Sequence, residues 1–486
     1  MIKNCMVVLS LLISTSALSQ PKDFSELTIN QLHQGVKAGQ FTFVEVTQYY
    51  LSNIQKHNPQ LNAVITVNPD AYQQALNKDK RYKENGKQGI LFGVPVLLKD
   101  NIDTKLMATT AGALALQNHY PNQNAPIVER LLSEGAIILG KANLSEWANF
   151  KSSPSSSGYS HVGGQVKNPY DLTMTPCGSS SGSAVAVSSN LALVSIGTET
   201  DGSIHCPSAL NGVVGFKPSI HHISQAGIIP IAHSQDTAGP ITRTVTDAQL
   251  TYLAISEYAH KESPSTHSLQ GKRIGITPGI NQFNQAYKAE FEDTLKRLGS
   301  AGITIVNDIK FNHMDKIFPA EFDVLLYEFN HGVTAYLANT GDGVSVKSLP
   351  ELIEYNKKLN DQKQELLLAS LQANDEAKYK QAIAAIDKYA KQQLKEIFKQ
   401  YKLDAIIAPS VGSAWKIDPI NGDKFTGSSS TLAAVTGSPS ITIPMGLKDG
   451  MPFAVSIIGD LDQDMKVLEI AKLLEQLTQG RVAPKL

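Results

Sequence analysis

Cysteine is scarce in this sequence: 486 residues contain three, and one of them, Cys5, lies in the N-terminal stretch. The other two, Cys177 and Cys206, cannot form a disulfide framework for so long a chain, so any bridge between them is local. They read as two small buried thiols, with that local bridge as the alternative. No Cys-x-x-Cys pattern occurs, and the adjacent His221-His222 pair cannot easily converge on one ion, so no metal site is expected. An excess of charge is lacking as well. Lys plus Arg number 43 against 44 Asp plus Glu, without a long run of either sign. That balance argues against nucleic acid or an anionic membrane as the main partner. Long hydrophobic runs are also missing, since a bilayer span needs about 20 apolar residues.

What the sequence does contain begins with an export pattern. Lys3 precedes an apolar stretch from Met6 to Ile13, and small residues occupy the first and last places of Ala17-Leu18-Ser19. Residues 1–19 are predicted to be a cleaved secretory signal, leaving 20–486 as the mature chain for the periplasm or the medium.

Residues 26–50 read as amphipathic helix broken by a turn at Gly39, and 60–82 look similar. "ILFGVPVLL" from Ile90 to Leu98 reads as a buried strand ending at Lys99. "ERLLSEGAIILGKAN" (129–143) alternates helix with strand, the rhythm of a parallel or mixed sheet. "LALVSIG" (191–197), "LDAIIAPS" (403–410), "SPSITIPMG" (438–446) and "FAVSIIG" (453–459) add further strands. Residues 361–401 form a helical pattern without Gly or Pro. These signals predict an α/β chain: one domain on a large mixed, mostly parallel sheet with helices on both faces.

Three segments carry chemistry. Lys99 follows an apolar strand, and burial makes an amine give up its proton unless it is paired. Asp100 is the obvious partner, although adjacent strand side chains point to opposite faces. In "TPCGSSSGSA" (175–184), Gly178 to Gly182 fits the G-x-S-x-G elbow with Ser180 at its centre. The preceding "KNPYDLTMTP" is too polar and proline-rich for the strand an elbow needs, and no Gly-Lys-Ser/Thr follows to make a phosphate loop. In "GTETDGSIHCPSALNGVVGFKPS" (197–219) a buried strand runs into a turn whose successive N–H groups precede Ser203. Such a turn can bind an anion.

Together these segments resemble the amidase signature family, and within it the peptide amidases that remove C-terminal amides. The likeness rests on Lys99-Asp100, "CGSSSGS", "GTETDGSI…GVVGFKPS" and the 24-residue spacing from Ser179 to Ser203. It extends to "NLSEWANF" (143–150), "GGQVKNPY" (163–170) and "GIIPIAHSQDTAGPITRTVTDA" (227–248), and it lapses through about 265–400.

The resemblance implies the amidase signature fold and a Ser–Ser–Lys arrangement without cofactor or metal. Ser203 would attack a carboxamide, and Ser179, on a cis peptide bond, would relay its proton to an uncharged Lys99. The N–H groups of Thr200, Asp201, Gly202 and Ser203 would hold the oxyanion, with Ser180 supporting. The 265–400 region would form a variable, largely helical substrate side.

Asp201 stands where much of the family has Gly, and is expected to point away from the oxyanion. His205-Cys206 replaces an Arg followed by an apolar residue, and His205 is given no catalytic role. The implied substrate is a small-molecule or peptide amide. The rivals are an aryl or fatty acylamidase, an intracellular amidotransferase component acting on charged tRNA, a non-catalytic binding protein on this scaffold, and a Ser–His–Asp hydrolase using Ser180.

Overall fold

The computed structural model describes residues 22–258, 270–276, 285–307 and 309–486. The segment read as an export signal lies outside the described residues. In chain order the strands are β1 Val64–Val67, β2 Pro95–Lys99, β3 Ile137–Ala142, β4 Tyr159–Ser160, β5 Gly164–Gln165, β6 Val194–Glu199 and β7 Val214–Lys217. There follow β8 Thr237–Thr242, β9 Arg273–Gly275, β10 Thr304–Val306, β11 Ala405–Pro409, β12 Ser440–Lys448 and β13 Met451–Ile458. Eleven of them make one mixed sheet in the order β1-β3-β2-β6-β8-β7-β12-β13-β11-β9-β10, while β4 and β5 pair separately. Parallel pairing is confined to two flanks, β3-β2-β6 and β11-β9-β10. Antiparallel ladders join the flanks through β8, β7, β12 and β13.

Helices cover both faces of the sheet. Ser181–Ser188 and His205–Leu210 pack together on one side, and Val245–Ile255 and Asp464–Thr478 on the other. A strand covered on both faces reads as a continuous apolar run rather than an alternating one. Strand β2 obeys this: Val96, Leu97 and Leu98 are fully buried, each contributing about 1.5–3 kcal/mol by leaving water. Its parallel neighbour β6 pairs Leu98 with Ile196. Both chains therefore reach the same sheet edge, and Lys99 arrives beside Thr198. Ligands of α/β sheets collect at such carboxyl ends.

The N-terminal helical region is split as expected, into Ile29–Lys37 and Phe43–Leu61, with Gly39 at φ +67° between them. The single helical run expected over 361–401 is instead interrupted. Helix Glu365–Gln372 stops, and Asp375 caps a new helix, Glu376–Ile386, by accepting from the Ala377 and Lys378 amides. Asn and Asp side chains compete for backbone N–H groups, so Asn374-Asp375 breaks the run without Gly or Pro. Among the described residues, no helix is long and apolar enough to cross a membrane.

Candidate active site

Lys99 ends β2 fully buried. Its Nζ lies 2.7 Å from Ser179 Oγ, 2.8 Å from Thr198 Oγ1 and 3.1 Å from Thr198 O. Asn101 Nδ2 donates to the same Thr198 hydroxyl at 3.0 Å. Asp100 is not the partner of Lys99: it faces Lys141, whose Nζ is 3.1 Å from Asp100 Oδ1. Burial pulls the Lys99 amine down to about 7, against the opposing pull of Asp236 and Glu199. A neutral amine has two N–H donors and one lone pair. Thr198 O and Oγ1 take the donors, leaving the lone pair for the Ser179 hydroxyl.

Ser179 follows a cis peptide bond from Gly178. The next residue ties the loop to the turn carrying Ser203, because the Ser180 amide donates to Ser203 O at 3.0 Å. Ser180 Oγ donates to Thr198 O at 3.0 Å and accepts from Thr198 N at 3.2 Å. With its hydroxyl spent on the β6 backbone, Ser180 is not a free nucleophile. Ser203 lines an open cleft, and no hydrogen bond joins its hydroxyl to that of Ser179 among the described residues.

The turn before Ser203 carries a row of backbone donors without protein acceptors among the described residues, the N–H groups of Thr200, Asp201, Gly202 and Ser203. The next two amides, of Ile204 and His205, are taken by Glu199 Oε2 at 2.6 and 2.9 Å. Gly202 has φ +82°, and a Cβ there would meet Ser430 Oγ at 2.9 Å. Asp201 faces away from these amides, with Oδ2 accepting from Thr431 Oγ1 at 2.7 Å.

His205 belongs to a structural pair. Its Nδ1 is 2.9 Å from Glu199 Oε1, so the ring is committed to that carboxylate rather than to a serine. Burial pushes the Glu199 carboxyl up, but the His205 ring and Lys217 outweigh it and hold it at about 2.

The expectation of two free thiols is corrected: Cys177 and Cys206 form a disulfide, with Cα atoms 5.8 Å apart. They lie 29 positions apart in sequence. The Ser180–Ser203 backbone contact brings their loops together, which cysteine counting cannot reveal. The bridge therefore links the Ser179 loop to the helix that follows Ser203.

The cleft holding Ser203 measures about 840 Å³. Phe311, Phe318, Phe322, Trp415 and Phe425 line it, Asp201 and Asp423 are its charged residues, and no Lys or Arg borders it among the described residues. Phe318 and Phe322, one turn apart on helix Met314–Ala338, are 53% and 46% exposed. Trp415 Nε1 and the Ser157 amide both donate to Asp423. A larger cavity of about 1080 Å³ is lined by Thr198 and Thr200 but not by Ser203. Elsewhere Glu146, His161 and Asp361 approach one another as metal ligands could. Lys151 already supplies positive charge there, 3.0 Å from Glu146 and in contact with Asp361.

The amidase family model matches residues 45–468. The chain belongs to the amidase family. It is 36% identical to a probable amidase of Arabidopsis thaliana, over 96% of this chain and 93% of that one. It is 31% identical to the mandelamide hydrolase of Pseudomonas putida, over 94% and 93%. The native peptide amidase of Stenotrophomonas maltophilia superposes with a TM-score of 0.88 at 39% identity, covering 95% of this chain and 99% of that one. This amidase is accordingly an enzyme that hydrolyses C–N amide bonds. Thr198, Asn101 and Glu199 join the candidate site, Thr198 by its contact with Lys99, Asn101 by its bond to Thr198, and Glu199 by its bond to the turn at Ser203. The first and last lie inside a segment singled out from sequence, but only the β2–β6 register shows what they touch.

Proposed function

We propose that this amidase is an exported enzyme that hydrolyses the C-terminal carboxamide of a peptide through an acyl-enzyme on Ser203. The observation that carries the reading is the buried Lys99–Ser179 contact, with burial bringing the amine down to about 7, so that an uncharged fraction is available as base at neutral pH. Ser203 Oγ bonds to the amide carbon as its proton passes to Ser179, whose own proton passes to Lys99. The N–H groups of Thr200–Ser203 receive the oxyanion, the step at which preorganised donors count most. Collapse breaks the C–N bond, and the proton returns through Ser179 to the departing ammonia. Water then attacks the ester by the same relay.

The cleft favours the peptide class. Its aromatic wall suits an apolar residue before the carboxamide, and without a cation it has no charge partner for the free carboxylate of glutamine or asparagine. Within the region 265–400, helix Met314–Ala338 supplies the substrate side through Phe318 and Phe322. Export accounts for the disulfide, since such bridges persist in oxidising compartments.

The test treats the mature protein with a fluorophosphonate, maps the adduct by peptide mass spectrometry, and assays peptide amides, acyl anilides and free glutamine for turnover. Adduct at Ser203 and ammonia from peptide amides are expected. Adduct at Ser180 would sink the nucleophile assignment. Faster anilide cleavage would move the substrate to aryl acylamides, and no adduct would point to a binding protein.

A further inference from the structure

Asp201 lies within the oxyanion turn, and an aspartate in that position has an acceptor of its own to offer. Asp side chains readily accept from the N–H two residues onward, which here is the Ser203 amide. If Asp201 did so, its carboxylate would occupy the place of the developing oxyanion. The structure shows what prevents it. Oδ2 is held by the Thr431 hydroxyl at 2.7 Å. Oδ1 is buried, with no N–H or hydroxyl partner among the described residues. The carboxyl of Glu321, a buried residue of helix Met314–Ala338, lies against the Asp201 side chain. Glu321 Oε1 in turn accepts from Gln235 Nε2 at 2.9 Å. That same Gln235 amide reaches the Thr200 carbonyl at 3.5 Å, so Glu321 is also anchored to the start of the turn.

Resting on the amidase reading above, we infer that Glu321 is a positioning residue of the oxyanion turn: it carries a proton that it donates to Asp201 Oδ1, holding that side chain off the N–H groups of Thr200–Ser203. Two touching carboxylates buried together cannot both ionise, so the pair keeps one proton. The groups facing it agree. Burial and then the Asp201 charge push the Glu321 carboxyl well above the usual range, while the hydrogen bond from Gln235 pulls the other way. On the Asp201 side, burial raises the carboxyl and Glu199 adds to the rise, whereas the hydroxyls of Ser430 and Thr431 oppose it. Lys217 is the cation whose amine senses Asp201. Loss of the Glu321 proton at alkaline pH puts a second charge against Asp201 and frees it to swing into the nest.

The experiment measures ammonia release from an N-acylated peptide amide across pH, with fluorophosphonate labelling in parallel, for wild type, E321Q, E321A and D201G/E321A. In E321A, kcat falls by about 10²-fold, the size of one lost oxyanion donor, while KM stays within about twofold. E321Q keeps a donor toward Asp201 but cannot ionise. It retains kcat within about threefold of wild type and loses the alkaline decline. D201G/E321A regains turnover over E321A, because the competing carboxylate is gone. Wild-type kcat in E321A, or an E321Q as slow as E321A, overturns the inference. Should E321A not fold, an E321Q profile that keeps the alkaline decline overturns it alone. Absence of label on Ser203 in the wild type instead overturns the underlying mechanism.

Discussion

The Ser180 amide donates to the Ser203 carbonyl at 3.0 Å. This one bond fastens the glycine-serine loop to the turn from β6, and with Ser180 Oγ on Thr198 it leaves Ser179 facing Lys99. Loop, strand and turn are thus tied into one frame, and the first three predictions below each disturb it.

Lys99 sets the acid side of the pH profile. With its amine at about 7, kcat/KM rises with pH through neutrality as the lysine loses its proton. K99M lowers kcat by about 10²–10⁴-fold. Its stability effect has the opposite sign. Between about pH 7 and the ordinary lysine range the unfolded chain holds a proton that the folded chain does not, so buried Lys99 costs most at low pH. K99M therefore raises Tm more at pH 6 than at pH 9, read by calorimetry at both values.

Gly202 cannot be replaced. In G202A the Cβ meets Ser430 and the residue must hold φ +82°, so the turn rearranges and kcat drops by about 10²-fold. Adding S430G removes the clash but not the backbone demand. The double variant stays slow in steady-state assays; full recovery would show that crowding alone was at fault.

The Cys177–Cys206 bridge closes a loop of 29 residues' separation, which corresponds to about 3–4 kcal/mol of stability. C177S/C206S shifts the urea midpoint down accordingly, and dithiothreitol lowers the wild type to the same midpoint. Free-thiol titration of the unreduced, unfolded protein finds only what lies outside this pair.

The aromatic wall acts on binding more than on chemistry. F318A/F322A raises KM about tenfold for a peptide amide with a terminal Phe or Leu, and leaves the kcat/KM of acetamide within about twofold. Equal losses for both substrates would remove these rings from the acyl pocket.

Much of the frame was legible in the sequence because burial writes itself into composition. Strand β2 is apolar throughout since both its faces are covered, and that marks Lys99 as exceptional. Local signals could not show which groups pair across the fold. Asp100 looked like the partner of Lys99, yet sheet geometry sends it to Lys141, a residue on another strand. The cysteines, 29 positions apart, are joined by a tertiary contact that their spacing does not encode. Nor does the 361–401 pattern show its break, where one Asp side chain outcompetes helix continuation.

Lys99, Ser179 and Ser203 sit on or beside β2 and β6, whereas Phe318 and Phe322 come from a helix in the long excursion between β8 and β11. Part of the cleft's aromatic wall is thus encoded apart from the proposed chemistry, and a chimera could exchange the excursion to change the amide accepted. Such a transplant has one fixed requirement. The incoming helix must present a protonatable or amide side chain where Glu321 stands, or position 201 must become glycine in the recipient.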